Sequence, residues 1–276
     1  MRRIILISLL LIIFVLTSCG TKPQQRSVGP LSYTVKAPSV TELTKTEGLV
    51  TFYRDDKEIE GKIFLPDSGS PAPVIIMSTG LYALYPEYEK KARDFTDKGF
   101  AAIVFNFVSN ADANSDKTVK DQNIRGLMAS QVLDLAAVMD SLPSLGNVDS
   151  TVVYLWGHSY GGLISAYAGA MRQDEVKGLI LVEPALNNGP EELVPGDPDT
   201  MTDINEVLSS CDLNTLIFAG SKSKYGSDPG AYDAVLDSLR NAEFIRIEGA
   251  DHLFAGEYGE EMVDKTCEKI DSWRQI

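Results

Sequence analysis

From residue 47 onward, short apolar runs alternate with longer segments of helical period. The runs cover residues 74–77, 101–107, 152–156, 179–182, 216–219 and 244–247. Segments with amphipathic spacing fall between and after them, at 88–98, 124–141, 161–171, 204–208, 231–239 and 260–273. A strand that is apolar at every position has both faces covered, which is the mark of a parallel sheet sandwiched by helices. Two further strands, 49–53 and 59–65, flank the polar turn 54–57 and read as a hairpin. The pattern predicts an α/β fold: an eight-stranded, mostly parallel, doubly wound sheet with helices on both faces, in one domain spanning 46–276. Residues 20–45 are polar, rich in Lys, Thr, Pro, Ser and Gln, and lack a sustained period, so 19–45 reads as a flexible tether.

Open sheets of this kind carry their chemistry at the carboxyl ends of the strands. The strand at 152–156 runs into Gly157-His158-Ser159-Tyr160-Gly161-Gly162 and then a helix of small residues. This is a G-x-S-x-G turn in strand–turn–helix context. Glycines on either side of the serine let strand and helix approach closely. The turn lifts the hydroxyl to the helix N-terminus, where free N–H groups favour developing negative charge. Ser159 is the candidate nucleophile. A serine hydroxyl is weak until an imidazole takes its proton. There are two histidines. His158 adjoins the serine and points away from its hydroxyl in such a turn, so packing or support is its expected role. His252, after the last strand in Gly249-Ala250-Asp251-His252, is the candidate general base. Asp251 beside it is assigned a local turn role.

A carboxylate must hold the imidazole in the right tautomer. The slot three residues beyond Gly220, where such an acid often sits, holds Ser223. Two replacements stand open. Glu183 ends the strand at 179–182, and Asp228 lies in Gly226-Ser227-Asp228-Pro229, a sequence that also suits a helix N-cap. Glu183 is favoured. With two histidines and no C-x-x-C, a histidine-rich metal site is excluded and no cofactor is expected.

The first residues change the setting. Arg2 and Arg3 precede an apolar run from residue 4 to 16, too short to span a ~30 Å hydrocarbon core as a helix. Leu16-Thr17-Ser18-Cys19 resembles the bacterial lipoprotein signal. That resemblance implies a cleaved signal at 1–18, lipidation of Cys19 and a place in the bacterial cell envelope. Gly20 after the cysteine implies the outer membrane where the host has one. Cys211 and Cys267 read as two buried free thiols, a disulfide being the alternative that export allows. A net charge of −14 argues against nucleic acid as a partner.

With Gly157–Gly162, the Gly249–His252 ending and the Pro-x-Pro-Val-Ile-Ile stretch at 71–76 in view, the chain from Glu47 resembles the α/β-hydrolases. Within them it is similar to the esterase and serine-aminopeptidase-like branch, including feruloyl-type acyl esterases. The resemblance implies an oxyanion hole from the N–H groups of Tyr160 and Leu81. It also shows a departure: Thr79-Gly80 stands where relatives carry His-Gly. About thirty residues separate Glu183 from Leu213, including Pro190, Glu191, Glu192, Pro195, Asp197 and Asp199. This implies a reduced cap over an open cleft, with Tyr82, Tyr85 and Tyr160 as candidate lining. The function implied is cleavage of a small-molecule or glycan-linked ester through an acyl-enzyme. A peptidase, a thioesterase and a non-catalytic surface binding lipoprotein are the alternatives.

Overall fold

The computed structural model describes residues 22–115, 128–186, 204–228 and 230–274. The segment 1–18 expected to be a signal, Cys19 and the acidic stretch 190–199 lie outside the described residues. All eight anticipated strands form: β3 (Glu47–Arg54), β4 (Lys57–Phe64), β5 (Ala72–Ser78), β6 (Ala101–Phe105), β7 (Val148–His158), β8 (Gly178–Val182), β9 (Thr215–Gly220) and β10 (Ala242–Ile247). They are joined by two that were not anticipated, β1 (Gln24–Val28) and β2 (Leu31–Thr41). The sheet among the described residues therefore has ten strands, in the order β1-β2-β3-β4-β6-β5-β7-β8-β9-β10. β5 to β10 pair in parallel, and β1 to β4 add an antiparallel wing.

The apolar runs form central strands because alternate residues feed two separate layers. Val74, Ile76, Ile103, Phe105 and Leu155 enter one layer. Ile75, Met77, Val104, Tyr154 and Trp156 enter the other. The first layer is closed by α3 (Met128–Ser141) and α4 (Tyr160–Met171), through Val132, Leu135, Leu163 and Ile164. Two short helices, α5 (Ile204–Ser209) and α6 (Asp233–Ser238), add Val207, Leu208 and Val235. The second layer is closed by α1 (Glu89–Asp97) and α7 (Glu257–Trp273), through Ala92, Phe95, Met262, Val263 and Ile270. Fully burying each large side chain contributes roughly 1.5–3 kcal/mol, so the centre of the sheet is a rigid platform.

The tether expected at 19–45 is corrected over residues 24–41. Val28 packs at 2% exposure, Tyr33 at 2% and Val35 at 6%, all in the layer under α3. The Tyr33 hydroxyl donates to Asp140 Oδ2 at 2.5 Å, and Asp140 Oδ1 accepts from Arg172 Nη2 at 2.7 Å. A period-2 pattern does run through Leu31, Tyr33 and Val35. It fades at the register shift between Lys36 and Ser39, and β1 buries only its last residue, so the polar composition masks both strands. Cys211 and Cys267 are free thiols. Burial pushes the Cys267 thiol up to about 11.

Candidate active site

β7 ends at His158 and α4 starts at Tyr160, leaving Ser159 alone in the turn. Its φ of 54° lies in the left-handed region, which costs a non-glycine residue of order 1–3 kcal/mol. The surroundings hold it there. The Ser159 N–H donates to the Val182 carbonyl at 2.9 Å, and its own carbonyl accepts from Gly162 and Ala185, each at 3.0 Å. A Cβ on Gly157 would run into the Gly161 carbonyl, and one on Gly161 into the carbonyls of Ser78 and Thr79. The flanking glycines are thus dictated by close backbone approach.

Strain gathers here. Six non-glycine residues among those described have positive φ; four are Tyr82, Ser159, Glu183 and Phe254, on the loops following β5, β7, β8 and β10. Those loops share one edge of the sheet.

The two candidate acids separate cleanly. Glu183 follows β8 and is 0% exposed. Its Oε1 accepts the Gly220 N–H at 2.5 Å, and its Oε2 faces His252 Nδ1 at 3.4 Å. Asp228 is exposed, and its Oδ1 accepts the Gly230 N–H at 3.0 Å, a local turn. It is not the N-cap expected from sequence either: α6 starts later, and its N-cap is Tyr232. The assignment of Asp228 as an acid is therefore corrected, because a solvated carboxylate closing its own turn does not meet His252. Ser223, in the other slot, is buried and takes the Gly226 N–H on its hydroxyl at 2.7 Å.

His252 stands half-exposed in a loop fixed from several sides. Asp251 Oδ1 accepts the N–H groups of Leu253 and Phe254 at 3.0 and 3.1 Å, the local turn role expected of it. Ser221 Oγ takes the Gly249 N–H at 2.8 Å, and the ring of Tyr225 lies 5.9 Å from that of His252. No hydrogen bond between Ser159 Oγ and His252 occurs among the described residues. Unliganded sites of this kind often tighten only around substrate.

His158 does more than fill space. It is 5% exposed, and its ring centroid is 4.7 Å from that of His252. Its Nε2 lies 2.7 Å from the His252 carbonyl, which can only accept, so Nε2 carries the proton. Nδ1, 2.8 Å from the Tyr88 hydroxyl, is then an acceptor and Tyr88 the donor. The Tyr88 oxygen in turn accepts the Gly80 N–H at 3.0 Å. Burial first, then the neighbouring His252, hold His158 down at about 3, so the ring stays neutral and the chain of donors keeps its direction. Burial likewise pushes Tyr88 upward. One line of hydrogen bonds thereby joins the loop after β5, the serine turn and the loop of His252.

Of the two expected oxyanion donors, Tyr160 opens α4 beside Ser159, and Leu81 lies in the loop after β5. Tyr82, Tyr85 and Tyr160 are all partly exposed around this edge. The contribution of Tyr88 had no motif to announce it, since it acts from the entrance of α1, where the sequence marks only an aromatic residue.

Residues 73–208 match the family model described as the alpha/beta hydrolase fold. No curated protein matches the sequence. Among solved structures, Est1E from Butyrivibrio proteoclasticus is 17% identical with a TM-score of 0.66, over 83% of this chain and 100% of that one. The acetyl xylan esterase from Paenibacillus sp. R4 is also 17% identical, with a TM-score of 0.63 over 84% of this chain and 88% of that one. A putative dienelactone hydrolase from Klebsiella pneumoniae subsp. pneumoniae is 16% identical, TM-score 0.63, over 86% and 97%. Together with the sheet order and the serine turn at its centre, these matches establish that the chain has the α/β-hydrolase fold.

Proposed function

We propose that the protein is a serine hydrolase that cleaves a carboxylic ester through an acyl-enzyme. One observation carries the reading: Ser159 is held in a strained turn on the same edge as His252, whose Nδ1 faces the buried carboxylate of Glu183. Strain of this kind persists only where the surrounding structure imposes it, and gathers at working sites. In the proposed cycle Ser159 attacks the carbonyl carbon and His252 Nε2 takes its proton. Glu183 fixes the tautomer and stabilises the imidazolium. The N–H groups of Leu81 and Tyr160 hold the oxyanion. His252 returns the proton to the leaving alcohol, and water, activated by the same imidazole, releases the acid.

The fold neighbours include an acetyl xylan esterase and an Est1E structure with ferulic acid bound, which favours acyl groups carried on saccharides as the first substrates to try. We also carry forward the proposal of a lipid anchor at Cys19 and a place in the bacterial envelope. A fluorophosphonate probe tests the chemistry. It is expected to label the wild type and not Ser159→Ala, with short-chain p-nitrophenyl esters turned over faster than aminoacyl amides. A wild type that takes no label would favour the binding-lipoprotein reading. Faster cleavage of amides would move the reading to a peptidase.

A further inference from the structure

The loop from Thr79 to Tyr85 has no glycine at Tyr82, where φ is +60°, and belongs to no regular element until Tyr85. Something outside the loop must impose its shape. Helix α2 (Val108–Ser115) and the residues leading into it supply that. Asn110 is 1% exposed. Its Nδ2 donates to the Gly80 carbonyl at 2.9 Å and to the Ala83 carbonyl at 3.1 Å, and its Oδ1 accepts the Tyr82 N–H at 3.3 Å. One turn later, Asn114 Nδ2 donates to the Tyr82 carbonyl at 2.8 Å. Four residues before Asn110, Asn106 Oδ1 accepts the Tyr85 N–H at 2.7 Å. Three asparagines at a spacing of four read successive peptide groups of one loop.

The consequence for Leu81 follows from the planarity of the peptide. The Gly80 carbonyl and the Leu81 N–H belong to one trans unit and point in opposite directions. Anchoring the carbonyl on Asn110 sets the direction of the N–H. The Gly80 N–H is already committed to Tyr88, whereas no acceptor among the described residues takes the Leu81 N–H. We infer that Asn110 is a positioning residue for the reaction. By holding the Gly80 carbonyl, it keeps the Leu81 N–H aimed at the oxyanion that develops on the substrate. Asn114 and Asn106 steady the neighbouring peptides. The inference rests on the serine-hydrolase reading above.

Because the donor is misaimed rather than deleted, the loss falls short of the roughly 10²–10³ in kcat seen when an oxyanion donor is removed. Asn110→Ala and Asn110→Asp are expected to lower kcat for p-nitrophenyl acetate about ten- to a hundredfold, with KM within about threefold. The Asp variant keeps the shape and the acceptor for Tyr82 while losing both donors, so it decides the matter should the Ala variant fail to fold. Asn114→Ala, more exposed and acting on the Tyr82 carbonyl, is expected to lower kcat less than tenfold. A short-chain trifluoromethyl ketone, which forms an oxyanion on Ser159, separates positioning from mere support. Its Ki is expected to rise in each variant by the factor that kcat/KM falls. Folded Asn110 variants with kcat and ketone Ki within threefold of wild type would overturn the inference and leave the serine-hydrolase reading standing. A wild type that hydrolyses no ester or amide and binds no ketone would overturn both.

Discussion

Glu183→Gln isolates the charge of the buried carboxylate from its shape. In the folded protein Glu183 Oε1 accepts the Gly220 N–H and Oε2 faces His252 Nδ1. An amide keeps an oxygen for Gly220 and then turns its NH2 toward Nδ1. That nitrogen must accept, which places the ring proton on Nε2, the atom that has to receive the proton of Ser159. The same exchange of carboxylate for amide in a serine–histidine–acid triad lowers kcat by about four orders of magnitude. At 1.36 kcal/mol per tenfold this is about 5 kcal/mol of transition-state stabilisation. KM is expected to hold within about threefold, because Glu183 is 0% exposed behind the imidazole and cannot reach substrate. Steady-state hydrolysis of p-nitrophenyl acetate measures this, with circular-dichroism melting to show that the variant is folded. Asp228→Asn, at an exposed turn, is expected to change kcat less than twofold. A folded Glu183→Gln protein within tenfold of wild type refutes the assignment. So does a large loss in Asp228→Asn.

Three further outcomes follow from the structure. His158 is held at about 3 when folded against an ordinary 6.5, so below about pH 6.5 the unfolded chain binds a proton that the folded one refuses. Its contribution is whole above 6.5 and drains away as pH falls toward 3, by up to about 1.4 kcal/mol per unit; urea unfolding at pH 7, 5 and 4 should show a shallower acid loss in His158→Phe than in wild type. Tyr33→Ala removes a buried ring and its hydrogen bond to Asp140, and is expected to cost about 3–5 kcal/mol in the same assay, where a side chain on a loose tether would cost nothing measurable. Gly157→Ala drives a methyl into the Gly161 carbonyl, so the soluble fraction is expected to collapse, and any that remains should resist fluorophosphonate labelling.

The centre of the fold was legible because strands such as β5 and β8 are apolar at nearly every position, a pattern that only a doubly covered sheet accommodates. The serine turn was legible for a related reason, since backbone crowding forces glycine at fixed offsets. Where burial depends on distant partners the sequence falls silent. Tyr33 looks like any tyrosine in a polar stretch until Asp140, 107 residues away, supplies its acceptor. Glu183 and Asp228 both follow strand ends, and only the packing of β8 against β9 decides which carboxylate is stripped of water. His158 was expected to support the site, but its neutral tautomer and its direction of donation depend on Tyr88 and on the His252 carbonyl. The asparagines of α2 carry no motif at all.

If Cys19 carries the proposed lipid, the antiparallel wing limits how far the domain could stray from a bilayer. β1 starts at Gln24, so the proposed lipid on Cys19 would lie five residue steps from the sheet, at most about 18 Å along the chain. A disordered run to residue 45 would have allowed roughly 90 Å by the same measure. On the proposed lipid anchoring, the shorter spacing would hold the proposed ester cleavage close above the lipid headgroups, so that esters reaching the surface would be the ones hydrolysed.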